Sequence, residues 1–335
     1  MRPLALLLIA GSTLLVPARA DEPKSNSDFD LVKVADGVYA ATAKPGGLAS
    51  GNAGFVVGDD GVLVVDTFFT PAACEMLLGE IAKLTKQPVR FAVNTHYHLD
   101  HTGGNQLFAA RNVPIVAHDR LMEWQTTKNR RFLPAAEDLK KRRDDAAKLL
   151  SETPQEQADK RTQLERQLRR LDAMQTIRLT NPTITFSSGH MQIHLGKREV
   201  RLFTLPGHTG GDVLVFVPDA NVLFTGDMGW SKTLPNLVDA TVNDWIPSLD
   251  KILSQYPTAK FVTGHGQVAG AAEIRELRDY LDNLRGRVKK AIADGLTLEQ
   301  AKQQAALPEM YKGFAFQNFA QPNVEDMYKE LSGTK

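Results

Sequence analysis

The chain has 335 residues and one cysteine, Cys74, with 42% hydrophobic and 24% charged residues, which are ordinary values for a globular protein. The length allows one large α/β domain with additions, and the single cysteine excludes an internal disulfide. The net charge of +1, without a polybasic tract, excludes nucleic acid as an expected partner.

Residues 1–20 have the features of a secretory signal peptide. Arg2 supplies a positive start, residues 4–16 form an apolar core, and residues 18–20 (Ala-Arg-Ala) form a small-x-small cleavage site. The apolar core is too short to span a bilayer as a permanent helix, so we expect no stable membrane insertion. We therefore predict a single mature domain over residues 21–335 that is periplasmic or secreted.

The first part of this domain is predicted to form antiparallel strands. Short apolar runs alternate with Gly and Asp turns between residues 28 and 65, the last run being residues 62–65. The glycine-rich segment 44–51 is either a plain hairpin connection or a flap over a substrate. Residues 71–86 then predict a helix.

The most informative motif follows the apolar run 91–93. Three histidines and one aspartate lie within six residues: His96, His98, Asp100 and His101. If the apolar run is a strand, His96 and His98 project from the same side of its end. Asp100 and His101 follow on a turn that leads to a helix near Asn105. Such an arrangement can serve two metal ions at once.

A charged segment interrupts the pattern of strands between about residues 119 and 175. Residues 137–171 are dense in Lys, Arg, Glu and Gln, with leucines at helical spacing, and residues 151–154 supply a break. We predict an inserted helical hairpin. It either packs on the body of the domain, covers the site as a lid, or contacts a second copy in an oligomer.

Three further candidate ligands follow short apolar runs and are flanked by glycine. His208 comes after residues 200–205, while Asp227 and His265 each end a run of their own. Each is predicted to lie where a strand turns into a loop, so that separate strand ends deliver them to one edge of a sheet. This distribution is typical of an enzyme site.

The C-terminal part is predicted to be helical. Residues 275–293 predict one helix, and a helical tail follows over about residues 294–335. The tail contains Phe314, Phe316 and Phe319, which seal the core, line the pocket or mediate association.

Over roughly residues 30–280, these motifs resemble the metallo-β-lactamase superfamily of dinuclear zinc hydrolases. The resemblance implies an α/β fold, a four-layer αβ/βα sandwich, here with the helical hairpin inserted. It implies two Zn²⁺ ions, the first held by His96, His98 and His208, the second by Asp100, His101 and His265, with Asp227 bridging them. Asp66, after the strand at residues 62–65, resembles the aspartate beneath the metal site in this family, or else caps the strand end.

A mixed His and Asp ligand set with open positions is typical of a catalytic rather than a structural zinc site. The resemblance therefore implies a hydrolase in which a metal-bridging hydroxide attacks a small carbonyl substrate. Asp100 is the candidate for orienting this nucleophile or handling its proton.

The substrate class depends on the loops. Residues 236–249 resemble the corresponding stretch of class B β-lactamases, and Trp230, Lys232 and Asn236 are candidate contacts to a substrate carboxylate. Asp227, in a Thr-Gly-Asp sequence, instead matches the wider superfamily. We expect a β-lactam-like cyclic amide, a lactone or an ester. The alternatives are a glyoxalase-type thioesterase or a phosphodiesterase, and a mononuclear-iron sulfur dioxygenase.

Overall fold

The computed structural model describes residues 24–25, 28–305 and 308–334. The signal peptide predicted for residues 1–20 lies outside the described residues and stays a prediction, as does the extent of the mature domain.

The described part contains thirteen strands and ten α-helices. The strands are β1 Lys24–Ser25, β2 Phe29–Ala35, β3 Val38–Ala43, β4 Ala53–Val57, β5 Val62–Val65, β6 Val89–Val93, β7 Ile115–His118, β8 Ile184–Phe186, β9 His190–Leu195, β10 Arg198–Thr204, β11 Val213–Val217, β12 Val222–Trp230 and β13 Lys260–His265. The helices are α1 Pro71–Leu84, α2 Leu99–Thr102, α3 Asn105–Ala110, α4 Arg120–Trp124, α5 Ala136–Glu152, α6 Ala158–Met174, α7 Val242–Gln255, α8 Ala271–Ala293, α9 Leu298–Gln304 and α10 Ala320–Ser332. Among these described helices, none combines the length and apolar character needed to cross a bilayer.

The strands form two sheets. The eight-stranded sheet has the order β1 to β8, antiparallel from β1 to β5 and parallel from β5 to β8. The five-stranded sheet has the order β13-β12-β11-β10-β9, in which β12 and β13 are parallel and the other pairs are antiparallel. The antiparallel strands predicted between residues 28 and 65 are therefore confirmed.

The two sheets pack face to face, with helices on both outer surfaces. Valines and Phe224 fill the space between the sheets. Cys74 and Leu77 of α1 pack on the outer face of the first sheet, while Trp245 of α7 and Leu281 of α8 pack on the second. Complete burial of a large apolar side chain such as Leu77 contributes about 1.5–3 kcal/mol to the free energy of unfolding. The predicted four-layer αβ/βα sandwich is confirmed.

The inserted hairpin consists of α5 and α6, and α5 ends at Glu152, within the break predicted for residues 151–154. Leu139, Ala146 and Leu171 pack between the two helices. Arg169 of α6 pairs with buried Asp28, which fastens the hairpin to the start of the first sheet. The insertion is thus docked on the sandwich along α6.

One predicted strand end is wrong. Asp227 does not end its strand, because β12 continues to Trp230. The pairing of β12 with β13 instead shifts on both sides of Gly226, which has a φ of +50°. A glycine tolerates this left-handed conformation, so the strand is irregular at the residue before Asp227 without a turn.

Candidate metal centre

The predicted ligands meet at one edge of the sandwich. His96 and His98 follow β6, Asp100 and His101 lie in the short helix α2, and His208 follows β10. Asp227 lies within β12, and His265 is the last residue of the neighbouring strand β13. The six side chains other than Asp100 are buried, and Asp100 is partly exposed towards a cavity.

Local hydrogen bonds fix the loop that carries His208. The carboxylate of Asp212 accepts hydrogen bonds from the backbone N–H of Thr209, at 2.8 Å, and from its hydroxyl, at 2.7 Å. Burial raises the pKa of Asp212 well above its usual range, although these hydrogen bonds lower it. The loop is therefore held from within, and His208 has a defined position.

Close packing of β12 and β13 brings Asp227 to the centre of the ligand group. A Cβ atom at Gly264 would collide with the Asp227 carboxylate, so a residue with a side chain does not fit at this point of β13. Glycine allows the two backbones to approach at the site.

The donor atoms form two adjoining groups. In the first, His208 Nε2 lies 3.1 Å from His98 Nδ1 and 3.3 Å from Asp227 Oδ2. His96 Nε2 lies 3.7 Å from the same oxygen. The four residues offer ligand atoms that all lie within 4.8 Å of one another.

The second group contains Asp100, His101 and His265. His265 Nε2 lies 3.3 Å from Asp100 Oδ2, and His101 Nε2 lies 3.8 Å from it. Asp227 also reaches this group, with Oδ1 3.2 Å from His101 Nε2 and Oδ2 3.5 Å from His265 Nε2. Asp227 therefore lies between both groups.

These distances fit ligands that surround a metal ion. Donors at about 2.1 Å from a tetrahedral zinc lie about 3.4 Å from one another, close to the separations in both groups. Within the described chain, buried His96 Nε2, His101 Nε2 and Asp227 Oδ1 have no hydrogen-bond partner. Buried polar atoms are rarely left without a partner, so converging atoms of this kind fit a bound cation.

The electrostatics of the site also favour a cation. Burial lowers the pKa of His96 and brings that of His208 to about 3, which leaves neutral imidazoles with free lone pairs. Burial alone would raise the pKa of Asp227, but His265 and other histidines hold it well below its usual range. The pKa of His265 is about 9, because the Asp227 and Asp100 carboxylates outweigh its burial. The negative charge of these carboxylates favours a proton on His265, and it favours a bound metal cation for the same reason.

Asp66 supports the site from behind, next to a candidate ligand. Its carboxylate accepts hydrogen bonds from the backbone N–H and the hydroxyl of Thr95, both at 2.8 Å, and lies 2.9 Å from His101 Nδ1. A carboxylate on one ring nitrogen orients the ring and leaves the other nitrogen for a metal. Asp66 has a φ of +60°, an uncommon conformation for a residue other than glycine.

Asp239 has the same relation to His98, and our sequence reasoning missed it. Its Oδ2 lies 3.2 Å from His98 Nε2 and accepts a hydrogen bond from the Tyr97 hydroxyl. Lys128 and Arg131, from the segment before the hairpin, also bind this carboxylate. Burial would raise the pKa of Asp239, but its hydrogen bonds with His98 and Tyr97 lower it. The only sequence signal was its place in the β-lactamase-like stretch 236–249.

A cavity of about 460 Å³ opens above the two groups. Its floor includes His98, Asp100 and His265. Its walls carry apolar side chains from several separate regions of the chain: Phe69, Leu99, Phe132, Met174, Trp230, Phe316 and Phe319. The size is that of a site for a small molecule. Because α6 supplies Met174 and Arg170, the hairpin forms one wall, and Phe316 and Phe319 show that the tail lines the pocket.

The three predicted substrate contacts differ in position. Trp230 and Asn236 line the cavity, and Trp230 stacks on His265 with ring centroids 4.2 Å apart. Lys232 does not belong to the lining. Its ammonium lies 2.6 Å from Glu276 of α8, and its side chain is 62% exposed. The structure therefore leaves Trp230 and Asn236 as candidate contacts and places Lys232 apart from them.

Comparison with known proteins identifies the family that this fold and site indicate. The profile of the metallo-beta-lactamase superfamily matches residues 46–265, which include all seven candidate ligands. The chain belongs to this superfamily, as the resemblance implied. Its homologues in this superfamily are metal-dependent hydrolases.

Individual relatives are distant. A linear primary-alkylsulfatase from Pseudomonas sp. is 24% identical over 272 residues, which are 76% of this chain, and the chain spans about half the length of that relative (50%). A metallo-beta-lactamase type 2 from Bacteroides fragilis is 21% identical over 77% of this chain and 88% of its own. The solved metallo-beta-lactamase from Pontibacter korlensis has a TM-score of 0.55 at 21% identity, over 76% of this chain and 99% of its own. The structural similarity shows the shared fold.

Proposed function

We propose that the protein is a dinuclear zinc hydrolase that acts on a small carbonyl compound. The observation that carries this proposal is the position of Asp227, whose two carboxylate oxygens face two adjoining donor groups. Imidazole nitrogens and carboxylate oxygens are common zinc ligands, and the described donors include no thiolate. The first ion would be held by His96, His98 and His208, and the second by Asp100, His101 and His265.

Zinc in such a site supplies, when bound, a water of lowered pKa and a positive charge that polarises the reacting bond. The protein's own residues do the rest. Asp100 lines the cavity, and its Oδ2 lies 3.3 Å from His265 Nε2, which supports a role for this carboxylate in orienting a nucleophile or accepting its proton. Asp66 and Asp239 hold two imidazoles in position, and the aromatic walls exclude water from the reacting group.

For the substrate we propose a β-lactam-like cyclic amide, a lactone or an ester. The metallo-beta-lactamase relatives support a cyclic amide, and the cavity volume fits a small molecule. A glyoxalase-type thioesterase or phosphodiesterase is the alternative reaction on the same residues. An iron-dependent sulfur dioxygenase would need one metal ion and three ligands, which leaves the second donor group of this chain without a role.

Metal analysis and hydrolysis assays on the zinc-loaded protein test this proposal. We expect two zinc ions per chain and chelator-sensitive turnover of a chromogenic cephalosporin, an aliphatic lactone or a 4-nitrophenyl ester. A thioester and bis(4-nitrophenyl) phosphate represent the alternative. One iron ion per chain with consumption of oxygen, or full activity in the presence of chelator, would contradict a zinc hydrolase.

We also propose that the protein is exported, on the basis of the signal-peptide features of residues 1–20. Expression of the full sequence in a Gram-negative host, followed by cell fractionation, tests the proposal. We expect a mature periplasmic product that begins at residue 21, whereas an unprocessed cytoplasmic product would contradict it.

A further inference from the structure

Arg170 is the only lysine or arginine among the described residues that line the metal cavity. It lies on α6 and projects over the ring of Phe69, with the guanidinium carbon 4.2 Å from the ring centroid. Across the described residues, this guanidinium makes no hydrogen bond and no ion pair. Its five N–H groups are therefore available to a molecule in the cavity.

Neighbouring arginines differ from Arg170 in this respect. Arg169 pairs with Asp28, Arg131 pairs with Asp239, and Arg161 donates to two backbone carbonyls. These arginines fasten the insertion to itself and to the sandwich. Arg170 lines the cavity instead, where its guanidinium lies over the face of Phe69 and makes no ion pair with a described residue.

The surroundings make an unpaired cation costly at this point. Burial lowers the pKa of the Arg170 guanidinium, and the Asp100 carboxylate raises it only in part. A charged group that loses contact with water needs a partner of opposite charge to recover the lost hydration. A carboxylate matches the guanidinium, because the two groups form paired hydrogen bonds.

Most of the other residues of the cavity wall are apolar, apart from Ser50, Asn236 and Asn318. Phe132 precedes the hairpin, Met174 lies one turn beyond Arg170, and Phe316 and Phe319 come from the tail. Phe316 is 40% exposed and lies edge-on to the ring of His265, 5.5 Å between centroids. A ligand that covers this aromatic wall would bury apolar surface beside the cation.

We infer that Arg170 binds a carboxylate of the substrate while the aromatic wall holds an apolar group, so that the substrate is a small amphiphilic anion. This inference rests on the proposed function, because it names the substrate class of the same site. It also relocates the anion contact that the sequence assigned to Lys232. The anion is bound from the insertion, and the reacting bond lies over the metal ligands.

Binding of octanoate to the zinc-loaded protein tests the inference without any reaction. Octanoate combines one carboxylate with an apolar chain, and 1-octanol is the matched neutral probe. By calorimetry, we expect Arg170→Gln to weaken octanoate binding by about ten- to a hundred-fold, because it removes charge-assisted hydrogen bonds. Binding of 1-octanol should change less than about two-fold, and Arg170→Lys should keep part of the affinity.

Arg166→Gln is the matched control variant. Arg166 lies one turn earlier on the same helix, is exposed, and is not part of the lining of the metal cavity. The Arg166→Gln variant loses the same positive charge from the same helix. It therefore measures the effect of the lost charge without the loss of a residue that lines the cavity. We expect unchanged octanoate affinity and, in all the variants, unchanged zinc content and melting temperature.

Kinetics separate this inference from the proposed hydrolase function. With a 4-nitrophenyl monoester of a dicarboxylic acid, Arg170→Gln should raise KM by about ten-fold or more, whereas the methyl-capped ester should be unaffected. Arg170-dependent octanoate binding without any hydrolysis would support the anion site and contradict the hydrolase. No octanoate binding to the wild type, or equal binding to Arg170→Gln, would overturn the inference about Arg170 even if hydrolysis is observed.

Discussion

The floor and the walls of the cavity are built in different ways. The floor consists of side chains at the edge of the two sheets, and the adjoining candidate ligands His96, His101 and His208 do not line the cavity and are at most 1% exposed. The inserted region and the C-terminal tail supply much of the walls, and there Arg170 and Phe316 remain accessible. On the proposed function, this difference separates two tasks: the sandwich would hold the metal ions, and the additions would select the substrate.

The backing of each side chain shows the same contrast. His98 and His101 each have a carboxylate on the ring nitrogen that faces away from the metal groups. Arg170 has only the face of Phe69 behind it. A carboxylate therefore holds each of these two imidazoles, whereas no ion pair among the described residues holds Arg170. Substitutions in the floor should alter metal binding, and those in the walls should alter substrate binding alone.

The largest effect is expected for Asp227→Asn, which removes the charge shared by both donor groups while keeping the volume. We expect fewer than two zinc ions per chain and a loss of chelator-sensitive turnover of more than about 100-fold. Mass spectrometry of the native protein and steady-state kinetics measure both. Asp219→Asn, an exposed residue paired with Arg198, is the control and should behave like the wild type. Two tightly bound zinc ions in Asp227→Asn would contradict the expectation that substitutions in the floor alter metal binding.

Removal of metal should lower stability, because a cation that binds only the folded chain stabilises it by mass action. A free metal concentration of 1,000 times Kd contributes about 4 kcal/mol. We therefore expect a chelator to lower Tm by roughly 5 °C or more in thermal unfolding. The chelator should have a much smaller effect on Asp227→Asn. A wild-type Tm that does not respond to the chelator would contradict metal binding by the floor.

Asp239→Asn tests the contact between floor and wall. Asp239 holds His98 and is itself bound by Lys128 and Arg131 of the inserted region. We expect zinc affinity to fall by about 10- to 100-fold, the usual effect of losing a carboxylate behind a histidine ligand. Competition with a chromophoric chelator measures it. Asp250→Asn, on the surface of α7, is the matched control, and equal affinity in both variants would show that Asp239 is only structural.

The smallest effect is expected for Lys232→Ala. Its ammonium is bound by Glu276 outside the cavity, and exposed ion pairs contribute about 0–1 kcal/mol. We expect KM for an anionic substrate to change less than about two-fold. A rise in KM as large as that expected for Arg170→Gln would indicate that Lys232 binds the substrate anion. It would contradict the assignment of this contact to Arg170 on the insertion.

Sequence and structure agree where the signal is local. The run from His96 to His101 places four donors within six residues, and Asp66 follows a short buried strand directly. Asp239 has no such signal, because its partner His98 is 141 positions away in the chain. The strand end expected at Asp227 was wrong because Gly226 introduces an irregularity that the apolar pattern of the strand does not reveal.

The sequence by itself determined the family, the layered fold and the seven candidate ligands. Metal chemistry requires a few residue types, and these recur beside glycines where strands end, so they are visible without coordinates. Only the tertiary structure decided that Arg170 faces the cavity, that Lys232 does not, and that Phe316 lines the wall. Those positions depend on how the insertion and the tail dock on the sandwich, and contacts between distant segments leave no periodic trace in the sequence.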